Sequence, residues 1–494
     1  MIDLSSFYGN LFAKDKPLFK IGFLIFAIII VNYLGIKGGR VAGASSAPVA
    51  AFIVLELLLI LIDPLYAFVF AFVIHVDIIA CLSFSYVPIA SLLSMFYIFF
   101  VKKGLMQEIL QNRKIKLLII SCLILGIYLI FINIGLKSGF SKENFLVGFG
   151  YIFGFFTILP AYYFTVSRPK DMFQALAIVA ACCLLAYFLD LSKKWGIFKL
   201  DVYFHLDDST MERLAGYDIR QFMLFFTFLI PAVVISKTIK NLHKLILLFV
   251  GIFSYLVLVL AFYRLAMFYV GMGAILSFFF IKKYADTKNI FKYLVAGAIL
   301  LFGASLFFGN YFTEINKIIN ITVNYFSGKG GDNSADTRFE GQLPILKNLF
   351  FSSPLTGIGV IEIQKWYRLD MMGFVDFPVL GSLTAFGIAG MFIYYLKYLI
   401  ILTKGKINLY NVDLEEDDQF TVYLYLTLKA YIITMITFRF FYISWEFTFD
   451  YMQAEFGLVA GAFLALQYIL KEKSMLEDEE EIENEETEHL KLIV

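Results

Sequence analysis

An all-α, polytopic integral membrane protein is predicted by three features of this 494-residue sequence. Sixty per cent of its residues are hydrophobic and only 16% charged, where a soluble domain carries about 25% charge. Mean hydropathy is +0.79, and the surplus of Phe, Ile and Leu recurs along nearly the whole chain. Apolar runs approaching the roughly 20 residues that cross a bilayer follow one another from end to end. Lipid is therefore the expected solvent, which excludes soluble enzymes, nucleic-acid-binding modules and disordered proteins.

About fourteen spans can be drawn at the length a bilayer requires. The first six are 19–36, 48–62, 64–80, 84–101, 117–136 and 145–166. Five more cover 172–190, 220–236, 244–262, 265–281 and 292–308, and the last three 378–402, 420–440 and 451–470. Proline starts a helix readily but interrupts one that must continue, so Asp63-Pro64 divides 48–80 into a hairpin. Tyr263-Arg264 divides another adjacent pair. The first apolar segment begins late and has no small-residue cleavage site, so it reads as a span rather than a signal peptide. No fixed-period repeat is seen, nor matched broken helices in two halves. Cys81, Cys122, Cys182 and Cys183 all fall in or beside spans, which implies no disulfide framework.

Orientation follows from Lys and Arg in the short loops. Stretches 102–116, 167–171, 237–244, 282–292 and 403–406 carry 16 basic residues, whereas the alternating short loops carry six. The first set is expected in the cytoplasm, with both termini, and the long loops 191–219 and 309–377 face outward. Residues 1–471 thus form a membrane domain, followed by an acidic cytoplasmic tail, 472–494. The tail segment 477–488 holds nine acids and no base, and it hides a balance of 41 basic to 31 acidic residues elsewhere. That tail reads as a solvated charge run or as a docking segment for a basic partner.

The arginines do not follow the lysines. Only Arg113 and Arg168 fall on the cytoplasmic side, and seven of the nine lie outside or at the outer edge. Those seven are Arg40, Arg213, Arg220, Arg264, Arg338, Arg368 and Arg439. A guanidinium keeps its charge and presents a planar fork that matches phosphate oxygens, which a lysine cannot reproduce. Arg220, Arg264 and Arg439, at outer span ends, sit where a lipid-linked phosphate would lie. They could equally anchor at the interface or pair with Asp218, Asp450 and Glu446.

Loop 309–377 is too long to be a mere connection. From Ala335 its pattern turns helical, with Phe339, Leu343, Leu346, Leu349 and Phe350 on one face and Arg338 in the first turn. An amphipathic helix along the outer membrane surface is expected, with Pro344 an unexpected member. The run Pro354-Leu355-Thr356-Gly357-Ile358-Gly359 ends it.

An arginine opening a helix, followed by a P-L-x-G-x-G turn, resembles the large-loop signature of the O-antigen ligase and polymerase superfamily. Tyr263-Arg264 and Ile219-Arg220 resemble that family's basic residues at outer span junctions. The resemblance covers mainly 215–400. Its ligases typically carry a functional loop histidine; this chain has only His75, His205, His243 and His489, none of them in 309–377. That departure favours a Wzy-type polymerase. Lipid-sugar transferases of the broader GT-C type often place an acid in the first outer loop, and 37–47 has none.

The resemblance implies a glycosyltransferase of bacterial surface polysaccharide in the cytoplasmic (inner) membrane. Its donor would be a polyprenyl-diphosphate-linked oligosaccharide and its acceptor a lipid-linked repeat unit, with no cofactor or metal. On this reading Arg220, Arg264 and Arg338 bind the diphosphate, with Arg439 a further candidate. Asp336 and Glu340 flank Arg338 and either take the acceptor proton or hold the guanidinium. Trp366, Tyr367 and Arg368 either stack on sugar rings or anchor the loop at the interface. Membrane lipid is a partner; a chain-length regulator is plausible in such pathways but leaves no signature here. A ligase with another acceptor is the nearest alternative, and a lipid-linked oligosaccharide flippase the alternative of another class. Against the flippase, charges within spans are few: Glu56, Asp77, Lys397 and Lys429.

Overall fold

A computed structural model describes residues 17–37, 46–75, 95–96, 98–99, 109, 111–141, 156–194, 221–260, 264–284, 341, 343–359, 378–403, 409, 416–441 and 454–474. No strand occurs among them, and five helices are long and apolar enough to cross a membrane. The first helices are α1 (Pro17–Lys37), α2 (Ser46–Ile62), α3 (Pro64–His75) and α4 (Arg113–Ser138). Next come α5 (Ile158–Ser167), α6 (Pro169–Lys194), α7 (Gln221–Ile235), α8 (Asn241–Leu260) and α9 (Arg264–Lys282). The short helix α10 (Leu343–Ser352) falls in the predicted outer loop, and α11 (Pro378–Leu402), α12 (Glu416–Phe441) and α13 (Ala454–Ser474) complete the described set. Predicted spans 292–308 and most of 84–101 lie outside the described residues.

Apolar side chains cover the outside of these helices as well as the inside. Ile127, Phe131, Leu245 and Phe392 are each more than half exposed. Such surfaces suit lipid and would be costly in water. The interior is aromatic: Phe52 of α2 stacks on Phe70 of α3 at 5.4 Å, and Tyr425 of α12 on Phe463 of α13 at 5.2 Å. Helix α13 is the most enclosed of the five long ones, with 78% of its central window buried. Its Leu458, Val459 and Ala462 meet α6, α7 and α12 around a small apolar gap.

The Asp63-Pro64 break is realised as the predicted hairpin. Pro64 is the first residue of α3, and Asp63 Oδ1 accepts the Leu65 N–H at 3.1 Å, the geometry of a helix N-cap. The same carboxylate takes Lys20 Nζ at 2.9 Å and Arg168 Nη1 at 2.9 and 2.8 Å; Arg168 also holds Asp171. Residues from α1, the α2–α3 turn and the α5–α6 junction therefore close one knot. The alternation of spans predicted from the sequence would put all of them on one side. Burial alone would raise the Asp63 pKa, but hydrogen bonds and charge from Arg168 and Lys20 outweigh it and hold the carboxyl below its ordinary value.

A second contact joins segments predicted to share that side: Lys114 Nζ donates to Thr403 O at 2.6 Å and Gln467 Oε1 at 3.1 Å. Breaking the Asp63 knot has a defined signature. Asp63→Asn is expected to destabilise by about 2–3 kcal/mol, below the range for a fully buried pair because Arg168 stays 35% exposed. Because the folded carboxyl is depressed, its contribution is present above the unfolded value near 3.9 and fades as pH falls through the folded one. Thermal midpoints of both proteins should therefore converge in acid.

Candidate functional site

Helix α11 is not continuous. It runs to Phe386, breaks at Gly387, where φ is 68° and ψ 179°, and resumes at Ile388. A break inside an apolar helix takes backbone groups from their partners along the helix, and these must be met elsewhere. The Pro354–Gly359 turn supplies them from its own backbone. Ile358 and Gly359 donate N–H to Thr384 O (2.8 Å) and Ala385 O (3.2 Å). In return, Ile388 and Ala389 donate to Pro354 O (2.9 Å) and Leu355 O (3.2 Å).

Two glycines make the crossing feasible. Gly357 and Gly387 both have positive φ (73° and 68°) and their backbones nearly touch. A Cβ on Gly387 would lie 2.2 Å from Leu355 O, and one on Gly357 the same distance from Ala385 O.

Helix α4 completes the junction. Residues Tyr128–Gly135 wind as a π-helix, a wider form that often marks functional positions. Asn133 is fully buried, and Nδ2 donates to Ala385 O (2.8 Å) and Thr356 O (3.1 Å). The Tyr128 hydroxyl donates its one proton to Phe386 O at 2.5 Å and lies 3.2 Å from Thr356 O, between the same two elements. At the rim, Lys137 Nζ donates to Ser353 Oγ at 2.8 Å. Upstream, α10 buries Leu346, whose carbonyl is 3.4 Å from Thr384 Oγ1. Pro344 falls in the first turn of α10, where proline is tolerated.

The predicted arginines meet a second feature, the register of α7, α9 and α12. Phe228 of α7 lies against Gly273 of α9, and its ring meets that of Tyr431 of α12 at 5.0 Å. Phe228 is eight residues after Arg220, Gly273 nine after Arg264, and Tyr431 eight before Arg439. At about 1.5 Å per residue, each helix runs roughly 12–14 Å from this common level to its arginine end. Ser277 and Thr427 fix the antiparallel α9–α12 pair with a 3.2 Å hydrogen bond. They stand 13 and 12 residues from Arg264 and Arg439.

The backbones of Arg264, which opens α9, and Arg439, near the end of α12, thus lie at matching heights. Arg220 lies outside the described residues and immediately precedes α7. Asp336, Arg338, Glu340, Trp366, Tyr367 and Arg368 also lie outside the described residues, as do the side chains of Arg264 and Arg439. Tyr398 of α11 lines a gap with Tyr431, and the Gly387 break, 11 residues earlier in the chain, lies away from the Thr403 end that Lys114 holds, toward the arginine end.

Among charges read within spans, Asp77 lies outside the described residues and Lys429 is exposed, 5.5 Å over the Phe280 ring. Lys397 is 3% exposed, with its ammonium 4.1 Å from the Tyr394 ring centroid and 4.8 Å from that of Phe456. Glu56 is 1% exposed, and neither carboxyl oxygen has a hydrogen-bond partner among the described residues. No group of three or more His, Cys, Asp or Glu able to hold a metal occurs among the described residues. No protein-family model matches this sequence, and no curated protein does.

The residues that sequence reasoning missed are Tyr128, Asn133 and Gly387. A lone asparagine inside an apolar span was the available signal, because an amide in lipid must find a partner.

Proposed function

We propose that this chain is a membrane glycosyltransferase, a polymerase of bacterial surface polysaccharide with about fourteen spans and both termini in the cytoplasm. One observation carries the reading: helices α9 and α12 bring the backbones of Arg264 and Arg439 to one level, and α7, which follows Arg220 in the chain, packs with both. The signature turn of the large loop docks toward that same end. A lipid-linked diphosphate bound there would have its charge at the membrane edge and its polyprenyl chain in lipid.

In the proposed reaction, a hydroxyl of the lipid-linked acceptor attacks the anomeric carbon of the donor glycan. The new C–O bond forms as the bond from that carbon to the diphosphate breaks, and polyprenyl diphosphate departs with the electron pair. The hydroxyl proton passes to a base, for which Asp336 and Glu340 are the candidates; the alternative is that they hold Arg338. Negative charge grows on the leaving diphosphate, so fixed guanidinium groups stabilise the transition state more than the ground state.

The deciding experiment is elongation by the purified protein in detergent, with polyprenyl-diphosphate-linked repeat units as both donor and acceptor. Dimers and longer oligomers with new glycosidic linkages are expected. A flippase makes no new bond, so folded, monodisperse protein that forms no new linkage from these substrates would overturn the reading. A deletion strain separates the nearer alternative: loss of a polymerase leaves one repeat on the core, and loss of a ligase leaves none.

A further inference from the structure

The outer loop is held at its middle rather than only at its ends. The described segment 343–359 is fixed to α4 and α11, while Arg338 lies five residues before it and Trp366 seven residues after it. At roughly 3.5 Å per extended residue, Arg338 is confined to within about 18 Å of Leu343 and Trp366 to within about 25 Å of Gly359. Whatever sets the pinned segment therefore sets the reach of both flanking groups.

Two side chains do the pinning from α4. The Asn133 amide uses both its N–H bonds, one on the loop turn at Thr356 and one on the broken helix at Ala385. Tyr128, five residues earlier and brought to the same junction by the π-helical turn, donates its one proton to Phe386 O of the broken helix, with Thr356 O 3.2 Å away. The carbonyl of Thr356, at the centre of the Pro354–Gly359 turn, receives the Asn133 amide and lies beside the Tyr128 hydroxyl. Lys137, on the same helix beyond the π segment, reaches Ser353 at the turn's start.

We propose that Asn133 and Tyr128 are positioning residues, which set the height and direction of the outer loop so that its charged flanks meet substrate held at the arginine end of α7, α9 and α12. The inference rests on the polymerase reading for its substrate and on the hydrogen-bonded junction for its mechanism. Neither residue touches substrate. Their loss acts through the loop and so changes turnover more than binding by the bundle arginines.

Two measurements on the full chain separate these parts. In a background with the native cysteines replaced by alanine, Lys137→Cys and Ser353→Cys should be joined by a short thiol cross-linker. Introducing Asn133→Leu, which removes both N–H donors, is expected to abolish the cross-link while the protein stays monodisperse. In elongation assays the same substitution should lower kcat by about a hundred-fold, the scale of a misplaced group, with KM for the lipid-linked diphosphate nearly unchanged.

Tyr128→Phe removes only a hydroxyl and provides the milder variant, with a partial loss of both signals, should Asn133→Leu fail to accumulate. A cross-link that survives Asn133→Leu overturns the pinning. Loss of the cross-link with kcat unchanged, or a rise in KM alone, overturns the positioning role. Wild-type protein that forms no glycosidic bond, while its cross-link still depends on Asn133, removes the polymerase reading and leaves loop positioning supported.

Discussion

Gly387→Ala should be the most destabilising single substitution in the described residues, at about 4 kcal/mol or more. Two independent costs meet at this position. The first is conformational: a φ of 68° with a ψ of 179° is a region open essentially to glycine alone, and a Cβ there costs about 1–3 kcal/mol. The second is steric and cannot be relieved by a rotamer, because the atoms in the way are backbone. The added methyl would sit 2.2 Å from Leu355 O and 2.5 Å from Gly357 N. Moving them apart breaks the four backbone hydrogen bonds that carry the turn into α11.

Gly357→Ala meets the mirror situation, 2.2 Å from Ala385 O and 2.6 Å from Gly387 N. Because both substitutions open one contact, the double variant should cost little more than either single one. Gly22→Ala is the control. Nothing lies within 4 Å of its added Cβ, and alanine in a helix interior is neutral to mildly stabilising. Thermal midpoints of the purified proteins give the comparison. A Gly387→Ala protein that melts with wild type would show that α11 does not cross the turn this way.

Why this crossing was hidden is instructive about what a sequence carries. Gly387 lies in Ala385-Phe386-Gly387-Ile388-Ala389, an apolar run in which one glycine is ordinary, since spans tolerate glycine well. The break becomes tolerable only when the turn some 30 residues upstream supplies two donors and two acceptors. No local property of either segment encodes that pairing. The π-helical stretch of α4 is similar: Tyr128–Gly135 reads as unbroken apolar helix, and only Tyr128 and Asn133 mark the face that must meet carbonyls.

Features set by short-range chemistry were legible. Proline after Asp63 forces a hairpin whatever packs on it, and the carboxylate caps the next helix. The turn at 354–359 was visible from its proline and glycines, although its partner was not. Matching heights of the Arg264 and Arg439 ends had a partial signal, because the predicted alternation of spans expects Arg220, Arg264 and Arg439 on one side. Adjacency of α7, α9 and α12 came only from packing, through Phe228, Gly273 and Tyr431.

That adjacency gives the second large effect, on the proposed polymerase. Arg264→Ala and Arg338→Ala should each leave inserted protein but reduce cells to single repeat units on the surface glycan. The expected loss is about 10²–10³-fold in turnover, the scale for removing one preorganised donor from a developing charge. Lysine at either position should rescue poorly, because a point charge on a flexible stem does not reproduce the bidentate fork. Arg439→Ala should cost less, as the weaker member of the set.

The register adds a sharper requirement than loss of activity. If Arg264 and Arg439 bind one diphosphate, their substitutions must couple, and the double variant should lose less than the product of the single losses. Anchors acting separately at the membrane edge would give simple multiplication. Full-length polymer in both Arg264→Ala and Arg338→Ala cells at normal expression would sink the arginine assignment altogether. Multiplicative losses would leave the arginines important and remove only their shared ligand.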